Sequence, residues 1–351
     1  MSFQSTDAKL AEVVFRSQIV NQQLGKDLIF PNEPTLKEFK NLLASKLKET
    51  DKTFKMLQRR NLPLSPYLEI GSEHGLRPAL LESKYNAVGF ATDISLHSLS
   101  KTPQFVRKFN YKKIPKTICC DAYNLPFKSN SFPFVFIYET LHHFPEPKPV
   151  LEEIKRVLSP GGTLLVGSDP ICATFQIKLW RRPTKLRVWE KILKFFLILP
   201  FISHIGKTEV EHGIIETAFS LKTWQEALSI FDRVEVKIKA FPFGPTQTVE
   251  KNYKKNWIFP KLKTQIALHL FGGGLQTLCW KKYSREISNS QNLEGLLICP
   301  NCLKKKSGEI PLTNLSCKNC KTSYKTKLGI PILIDTQTAK NIFFESTEKD
   351  P

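Results

Sequence analysis

One stretch, residues 67–93, constrains the fold of this chain more than any other. An apolar run reading Y-L-E-I breaks into a turn with two glycines, a helix-like segment follows, and a second apolar run ends on an acid. Glycine lets the backbone approach a ligand closely, and an acid about twenty residues further on can hold ribose hydroxyls. The pattern therefore predicts the start of an α/β unit that binds a dinucleotide or a nucleoside.

Strand-like and helix-like segments alternate between residues 67 and 167. The strand candidates are continuously apolar, as at residues 134–137, which is typical of parallel strands covered on both faces. This alternation predicts an α/β fold with a doubly wound, Rossmann-like parallel sheet and crossover helices. The predicted strands are 67–70, 86–91, 117–120, 133–138 and 162–167, and the predicted helices are 76–84, 96–109 and 148–157.

The segments on either side of this unit have a different pattern. Apolar residues at three- and four-residue spacing within residues 36–47 predict an amphipathic helix, so we expect residues 1–62 to form a helical N-terminal cap. Residues 63–283 are the expected main domain, with an insertion at about 171–245. Further predicted elements are a helix at 222–231, a strand at 233–240, and a glycine hairpin at 271–274 that leads into a strand at 275–280.

Positive charge is concentrated in the middle of the chain. The formal net charge is +20, and residues 171–290 carry 20 Lys and Arg against 9 Asp and Glu. Such a surface can meet RNA, an anionic membrane surface or a phosphorylated substrate, or it can serve solubility alone. No secretory leader is visible, and the longest apolar run, residues 195–202, is far shorter than the ~20 residues of a membrane span. We therefore expect a soluble, cytoplasmic protein.

The eight cysteines fall into two groups. Cys299 and Cys302 form one C-x-x-C pair, and Cys317 and Cys320 form another after fourteen intervening residues. Two such pairs can place four thiolates tetrahedrally around Zn²⁺, which predicts a small structural zinc ribbon at residues 295–335; the alternative is a pair of disulfides. The remaining four cysteines have apolar neighbours and are expected to be buried thiols: Cys119, Cys120, Cys172 and Cys279.

This cysteine segment also has a recognisable pattern. It reads L-I-C-P-N-C, then L-S-C-K-N-C, and closes with L-G-I-P-I-L at residues 328–333. In these features it resembles the small zinc-binding domain of the methyltransferase-activator family. Proteins of that family are partners or fused tails of methyltransferases, including those that act on tRNA, so the resemblance implies a methyltransferase context.

Five sequence blocks follow one another between residues 68 and 162. They are Leu68-Glu69-Ile70-Gly71 with Gly75; Asp93-Ile94-Ser95; Asp121-Ala122 with Leu125-Pro126-Phe127 and Ser131-Phe132; Leu141-His142-His143; and residues 153–158 with Pro160-Gly161-Gly162. In this order the blocks resemble the class I, S-adenosylmethionine (SAM)-dependent methyltransferases, particularly the type 11 group. The resemblance implies that the expected nucleoside is SAM.

The resemblance also implies a role for each matched residue. The backbone after Gly71 would line the methionine part of SAM, Glu69 would lie near its ammonium group, and Asp93 would accept both ribose hydroxyls. Asp121 would accept from the adenine amino group, with Ile94 against the ring. The implied cofactor-binding residues are Glu69, Gly71, Gly75, Asp93, Ile94, Asp121 and Ala122.

The chain departs from the family pattern at two positions. Glu73 stands where a middle glycine is usual, and Pro133 stands where an aspartate commonly follows Ser-Phe. The turn also differs from other nucleotide sites: it lacks the second glycine of a dehydrogenase G-x-G-x-x-G turn, and no G-K-[ST] follows it as in a P-loop.

Acceptor-side groups are expected after the fourth and fifth strands, at the carboxyl edge of the sheet. His142 or His143 can act as a general base near neutral pH, or can simply fix the loop by hydrogen bonding. Glu139 and Asp169 are candidate substrate-binding residues. A second candidate pair, Glu211-His212, lies in the aromatic and basic insertion, which is open to three interpretations: a substrate lid, a membrane-surface helix or a nucleic-acid surface.

The expected function is methyl transfer from SAM to a small molecule, a lipid or a glycan intermediate. The alternatives are a methyltransferase of tRNA or of a translation protein, and a non-catalytic SAM-fold scaffold that binds a partner through its zinc domain.

Overall fold

The structure is a computed structural model that describes residues 4–25, 36–172, 188–196, 198, 219–240, 247–251, 262–283 and 292–343. Its helices are α1 Gln4–Gln23, α2 Leu36–Arg59, α3 Leu76–Tyr85, α4 Leu96–Ser100, α5 Thr102–Lys108, α6 Pro147–Val157, α7 Val188–Phe195, α8 Leu221–Leu228, α9 Leu262–Phe271, α10 Pro300–Lys304 and α11 Thr336–Phe343. Its strands are β1 Tyr67–Ile70, β2 Gly89–Asp93, β3 Lys116–Cys120, β4 Phe132–Tyr138, β5 Leu158–Ile171, β6 Arg233–Ala240, β7 Gln247–Lys251, β8 Gly273–Trp280, β9 Leu312–Thr313, β10 Ser316–Cys317, β11 Thr326–Lys327 and β12 Ile330–Leu333.

A twisted sheet organises the molecule, with strand order β11-β12-β3-β2-β1-β4-β5-β8-β6-β7. Strands β1 to β5 are parallel, and β8 runs antiparallel to both of its neighbours, β5 and β6. The chain order reverses between β1 and β4, so the carboxyl ends of these two strands open a crevice at the switch point. The predicted α/β class with a doubly wound, Rossmann-like sheet is confirmed.

The strands form because their residues are apolar on both faces. In β4, residues 134–137 are all buried, as the continuous apolar run predicts. Helix α6 buries one stripe against this layer through Val150, Leu151, Ile154 and Val157, which recur at helical spacing. The core therefore lies on both sides of the central strands, and it fixes the strand ends that line the crevice.

The expected helical cap consists of α1 and α2. Helix α2 buries Phe54 completely, with its ring edge-to-face on Phe134 and Phe136 at centroid distances of 6.1 and 5.6 Å. Full burial of one phenylalanine side chain is worth about 1.5–3 kcal/mol, so this contact anchors α2 on the sheet. Helix α1 packs against α2, α4 and α11.

The cysteine segment is joined to the edge of the same sheet. Strand β12 pairs in parallel with β3, with Ile332 opposite Cys119 and Leu333 opposite Cys120. The loop between β3 and β4 adds backbone hydrogen bonds to the same segment, from Lys128 N–H to the Leu296 carbonyl at 2.9 Å and from Ile298 N–H to the Pro126 carbonyl at 3.0 Å. The segment thus continues the sheet.

Several element predictions need correction. The helix predicted at 96–109 is two helices, because Pro103 sits in the first turn of α5 and cannot donate a backbone hydrogen bond. The hairpin predicted at 271–274 is wrong: α9 ends at Phe271, Gly272 has a left-handed φ of 67°, and β8 already begins at Gly273. The second strand begins three residues later than predicted, since Asn86 closes α3 in the left-handed conformation.

The segment predicted as an insertion contains part of the sheet. Strand β6 lies between β8 and β7, and α8 buries Trp224 beside the end of β5, with its indole N–H donating to the Pro170 carbonyl at 3.0 Å. The C-terminal part of the 171–245 segment is therefore core structure. Within the ranges that the structure describes, no helix is long and apolar enough to cross a membrane.

Candidate cofactor and acceptor site

A cavity of about 480 Å³ opens at the carboxyl ends of β1 to β5, beneath the helical cap. Its floor comes from the sheet and the loops that follow the strands, and its other wall comes from α1 and α2. Cap residues that line it are Lys9, Arg16, Gln23, Phe39, Leu42, Leu43 and Lys46. Predicted site residues that line it are Gly71, Asp93, Ile94, Asp121, Ala122, Glu139, His142 and His143.

The glycine turn after β1 packs too tightly to hold side chains at both glycines. A Cβ on Gly71 would lie 2.4 Å from the Thr140 side chain, and one on Gly75 would lie 2.9 Å from Thr102. Both glycines also have left-handed φ angles, 67° and 66°, which suit a residue without a Cβ. Gly71 lines the cavity, whereas Gly75 supports the turn from outside the cavity lining.

Asp93 is held rigidly at the end of β2. Its Oδ1 accepts the backbone N–H of Ser95 and its Oδ2 accepts the backbone N–H of Glu73, each at 2.8 Å. The carboxylate thereby ties the two strand-end loops together and faces the cavity with Ile94 beside it. A carboxylate fixed in this way is suited to accept hydrogen bonds from a ligand diol.

Glu73 occupies a position whose left-handed backbone conformation favours glycine. Its φ is 52°, and its carboxylate lines the cavity between Arg16, at 3.8 Å, and the buried His74, at 3.4 Å. Burial alone would raise the pKa of Glu73, but the charges of His74, Arg16 and the other nearby cations outweigh it and hold the pKa below its usual value. The departure from the family pattern therefore adds a negative charge to the cavity wall.

Glu69 lies in the middle of β1 and is not among the cavity-lining residues. It is almost completely buried, and neither of its carboxylate oxygens has a hydrogen-bond partner among the described residues. Burial raises the pKa of this carboxyl well above its usual value. A buried acceptor without a hydrogen-bond partner is unusual in a folded protein.

Asp121, after β3, is engaged from two directions. Its Oδ1 accepts the Tyr123 backbone N–H at 3.0 Å, and its Oδ2 pairs with the Lys9 ammonium at 2.5 Å. The same ammonium lies 5.1 Å from the centre of the Tyr123 ring. Lys9 of the cap thus pairs with the carboxylate that the sequence resemblance assigns to a cofactor amino group.

The predicted base His142 is fixed by Asp169. The imidazole Nδ1 lies 2.8 Å from Asp169 Oδ1, and the same oxygen accepts the His142 backbone N–H at 3.1 Å. Asp169, which the sequence predicted as a substrate-binding residue, is fully buried and does not line the cavity. Its side chain contacts His142 instead. A hydrogen bond from Nδ1 to a carboxylate leaves Nε2 as the ring atom that takes a proton.

Arg16 of the cap lies between His143 and the glycine turn. Arg16 Nη2 lies 3.3 Å from His143 Nε2, and Arg16 Nη1 lies 3.8 Å from a Glu73 oxygen. One guanidinium therefore connects the glycine turn with the histidine pair, whose rings are 4.1 Å apart.

Glu139 follows β4 with a left-handed φ of 50° and pairs with two cations. Lys46 lies at 2.6 Å and Arg77 at 3.5 Å from its carboxylate. Burial would raise the pKa of Glu139, but these two cations outweigh it and lower the pKa below the usual value. The other predicted acceptor-side pair, Glu211-His212, lies outside the described residues.

The sequence prediction missed the contribution of the cap to the cavity. Lys9, Arg16 and Gln23 recur every seven residues and therefore share one face of α1. Phe39, Leu42, Leu43 and Lys46 share one face of α2 in the same way. These spacings are visible in the sequence, but the patterns do not indicate which surface each face covers.

The four cysteines of the C-terminal segment come together as predicted. Their sulfur atoms all lie within 4.8 Å of one another, with Cys299 to Cys320 at 3.5 Å and Cys302 to Cys317 at 3.6 Å. Tetrahedral thiolates at the Zn–S distance of about 2.3 Å stand roughly 3.8 Å apart, whereas a disulfide needs about 2 Å. The donor set and its spacing fit a closed, structural Zn²⁺ site.

A family model described as a methyltransferase domain matches residues 68–166, the part of the chain that holds the glycine turn, Asp93, Asp121 and His142. Residues 68–166 are therefore similar to a methyltransferase domain. The family model does not extend beyond these residues, so it does not cover the C-terminal cysteine segment.

Similar curated proteins are also methyltransferases by name. Methyltransferase GfsG of Streptomyces halstedii is 29% identical over 107 residues, which are 30% of this chain and 38% of that protein. Demethylmenaquinone methyltransferase of Bacillus cereus (strain AH187) is 28% identical over 158 residues, 43% of this chain and 62% of that protein. The matched region thus spans less than two thirds of either relative.

Among solved structures, a SAM-dependent methyltransferase from Thermotoga maritima is similar with a TM-score of 0.43 and 15% identity, covering 77% of this chain and 99% of that one. A complex between the Haloferax volcanii Trm112 methyltransferase activator and a methyltransferase is similar with a TM-score of 0.37 and 16% identity, covering 69% of this chain and 96% of that one.

Proposed function

We propose that the protein is a SAM-dependent methyltransferase whose acceptor is a small molecule, a lipid or a glycan intermediate. One observation carries the proposal: within the segment that matches a methyltransferase domain, Gly71, Asp93 and Asp121 line a single cavity at the switch point of the sheet. Its volume of about 480 Å³ lies in the range of small-molecule sites.

The residues present fit SAM as the cofactor. Asp93 would hold the ribose, Asp121 and Ala122 would hold the adenine, and the backbone after Gly71 would line the methionine part. The Glu69 carboxyl, two residues before Gly71, has no hydrogen-bond partner among the described residues, which supports the place near the cofactor ammonium that the resemblance assigns to it. Bound SAM supplies an electrophilic methyl group on a sulfonium, so the protein's contribution is to position the acceptor and, for a protonated acceptor, to remove a proton.

His142 is the residue we assign to proton removal. Asp169 keeps its Nδ1 engaged, so that Nε2 takes the proton of an acceptor hydroxyl or amine. The buried Asp169 carboxylate also stabilises the imidazolium that then forms. We assign Glu139, with its partners Lys46 and Arg77, to acceptor binding. His143 is assigned to the same wall of the cavity.

The cap favours a small or slender acceptor. Phe39, Leu42 and Leu43 give the cavity an apolar wall opposite the strand ends, which suits an acceptor with an apolar part. The Bacillus cereus relative is named for demethylmenaquinone, an acceptor of this type. A tRNA or translation-protein acceptor is the second candidate, favoured by the resemblance of the cysteine segment to the methyltransferase activators.

We further propose that Cys299, Cys302, Cys317 and Cys320 hold a structural Zn²⁺, and that the chain is divided as residues 1–62, 63–283 and 295–335. Four thiolates that remain reduced suit a reducing compartment, so we place the protein in the cytoplasm.

The test is a methyl-transfer screen with labelled SAM against fractions of a cell extract. Label should enter a small-molecule or lipid fraction with the unaltered protein and not with His142→Ala. Transfer of label to RNA or protein would support the second candidate. A protein that binds SAM but labels nothing, or that does not bind SAM at all, would leave the scaffold alternative.

A further inference from the structure

Helix α7 presents a face of large apolar side chains to solvent. Phe195 is 81% exposed, Val188 is 75% exposed, and Trp189, Ile192 and Phe196 are 51–62% exposed. At about 100° per residue these five positions fall within an arc of roughly 120° on one side of the helix. Exposed apolar side chains are ordinary when they are scattered singly, whereas a contiguous aromatic and aliphatic face marks an interaction surface.

Charge surrounds this face in the sequence. Residues 176–207 contain eight Lys and Arg and one acid, Glu190. Within α7, the exposed Lys191 lies outside the apolar arc. The combination of a Trp- and Phe-containing apolar face with a lysine-bearing polar face is typical of helices that lie in the surface of an anionic membrane.

We propose that α7 docks the protein peripherally on an anionic lipid surface. The arc of Val188, Trp189, Ile192, Phe195 and Phe196 enters the boundary between headgroups and acyl chains, and the exposed Lys191 beside the arc reaches the lipid phosphates. Aliphatic side chains intermixed with the aromatic ones suit hydrocarbon better than nucleic-acid bases, which stack on aromatic faces along a basic groove. A protein partner is disfavoured because protein interfaces are depleted in lysine.

The proposal does not depend on methyl transfer. Strand β5, whose residues Ser168 and Pro170 line the cavity, precedes α7 in the chain, and residues 173–187 between them lie outside the described ranges. The binding of α7 to lipid is measurable without SAM or an acceptor.

The experiment is co-sedimentation of the full-length protein with vesicles of phosphatidylcholine, with and without phosphatidylglycerol, at low and high salt. The unaltered protein should bind the anionic vesicles, and Phe195→Ser with Phe196→Ser should weaken this binding by about tenfold or more. A matched control, Leu262→Ser with Ile266→Ser, alters two side chains that are 71% and 50% exposed on α9 and should leave binding within about twofold.

A second readout is tryptophan fluorescence. Anionic vesicles should shift the emission to shorter wavelength in the unaltered protein and not in Trp189→Phe. Ile192→Ser serves as a further variant if the double phenylalanine variant does not fold. Vesicle binding that is absent, or that the α7 variants leave unchanged, overturns the proposal. The proposal is also overturned if the unaltered protein does not bind vesicles and the α7 variants instead lose single-stranded RNA binding or self-association.

Discussion

Replacing Glu309 with alanine should loosen the attachment of the cysteine segment to the loop between β3 and β4. The Glu309 carboxylate accepts the Ser129 backbone N–H at 3.0 and 3.1 Å, accepts the Ser129 hydroxyl, and pairs with Arg156 Nη1 at 3.0 Å. Arg156 in turn donates to the carbonyls of Leu125 and Phe127 at 2.8 and 2.7 Å. One carboxylate thus completes a network that fixes the loop following Asp121.

The expected loss follows from these contacts. A hydrogen bond to a charged group contributes about 1.5–3 kcal/mol, and removing one partner leaves the others poorly satisfied. The Glu309 side chain is 32% exposed, so water compensates part of the loss. We therefore expect Glu309→Ala to lower the free energy of unfolding by about 2–3 kcal/mol at neutral pH.

The pH dependence has a definite sign. Burial would raise the pKa of Glu309, but the Ser129 hydrogen bonds and the Arg156 charge outweigh it and lower the pKa below the ordinary value of 4.5. A lowered carboxyl pKa contributes stability that is present above pH 4.5 and is lost as the pH falls through the folded-state pKa. The difference between the unaltered protein and Glu309→Gln should therefore shrink below pH 4.5.

The assay is urea unfolding followed by circular dichroism, together with calorimetry of SAM binding. Glu294→Ala is the matched control, because Glu294 immediately precedes the same segment and faces Lys116 at 3.8 Å, but both side chains are largely exposed. An exposed pair is worth about 0–1 kcal/mol, so this variant should unfold almost as the unaltered protein does. Equal unfolding midpoints and equal SAM affinity for Glu309→Ala and the unaltered protein would show that Glu309 does not fix the cysteine segment or the loop that follows Asp121.

Three further predictions concern single residues. Asp169→Asn should slow methyl transfer by about 10²–10⁴-fold, because His142 loses the group that sets its tautomer, while SAM affinity stays within about twofold; a parallel loss of SAM affinity in calorimetry would contradict the positioning role. Lys9→Met should tighten SAM binding severalfold, since Asp121 Oδ2 is released from a competing ammonium; weaker binding would show that Lys9 assists the cofactor. Metal analysis should find one zinc per chain in the unaltered protein and a large loss in Cys302→Ser, and an equal zinc content in both would rule out this site.

The sequence was most informative where local pattern decides structure. Continuous apolar runs predicted β1 to β5, and the glycine turn with Asp93 predicted a nucleoside site at the ends of β1 and β2. Boundaries were less predictable, because they depend on single residues such as Pro103 and Asn86 that interrupt an otherwise favourable pattern.

Contacts between distant segments were not predictable from local pattern. The pairing of β12 with β3 joins residues that are more than two hundred positions apart, and nothing in either short apolar run specifies the other. The cap cations Lys9 and Arg16 could be placed on one helix face, but surface lysines and arginines usually face water. The sequence predicted that Asp169 binds substrate. Its burial behind His142 depends on the packed fold, which the local pattern does not show.

Calorimetry of SAM binding to the unaltered protein and to Asp93→Ala tests directly whether the cavity lined by Asp93 is a SAM site. We expect one SAM per chain, and a loss of affinity of about tenfold or more in Asp93→Ala, because two hydrogen bonds to a charged carboxylate are removed. Glu152→Ala, an exposed carboxylate on α6, is the control and should bind SAM normally. Absence of SAM binding in the unaltered protein, or equal affinity in Asp93→Ala, would contradict the proposal that the cavity binds SAM through Asp93.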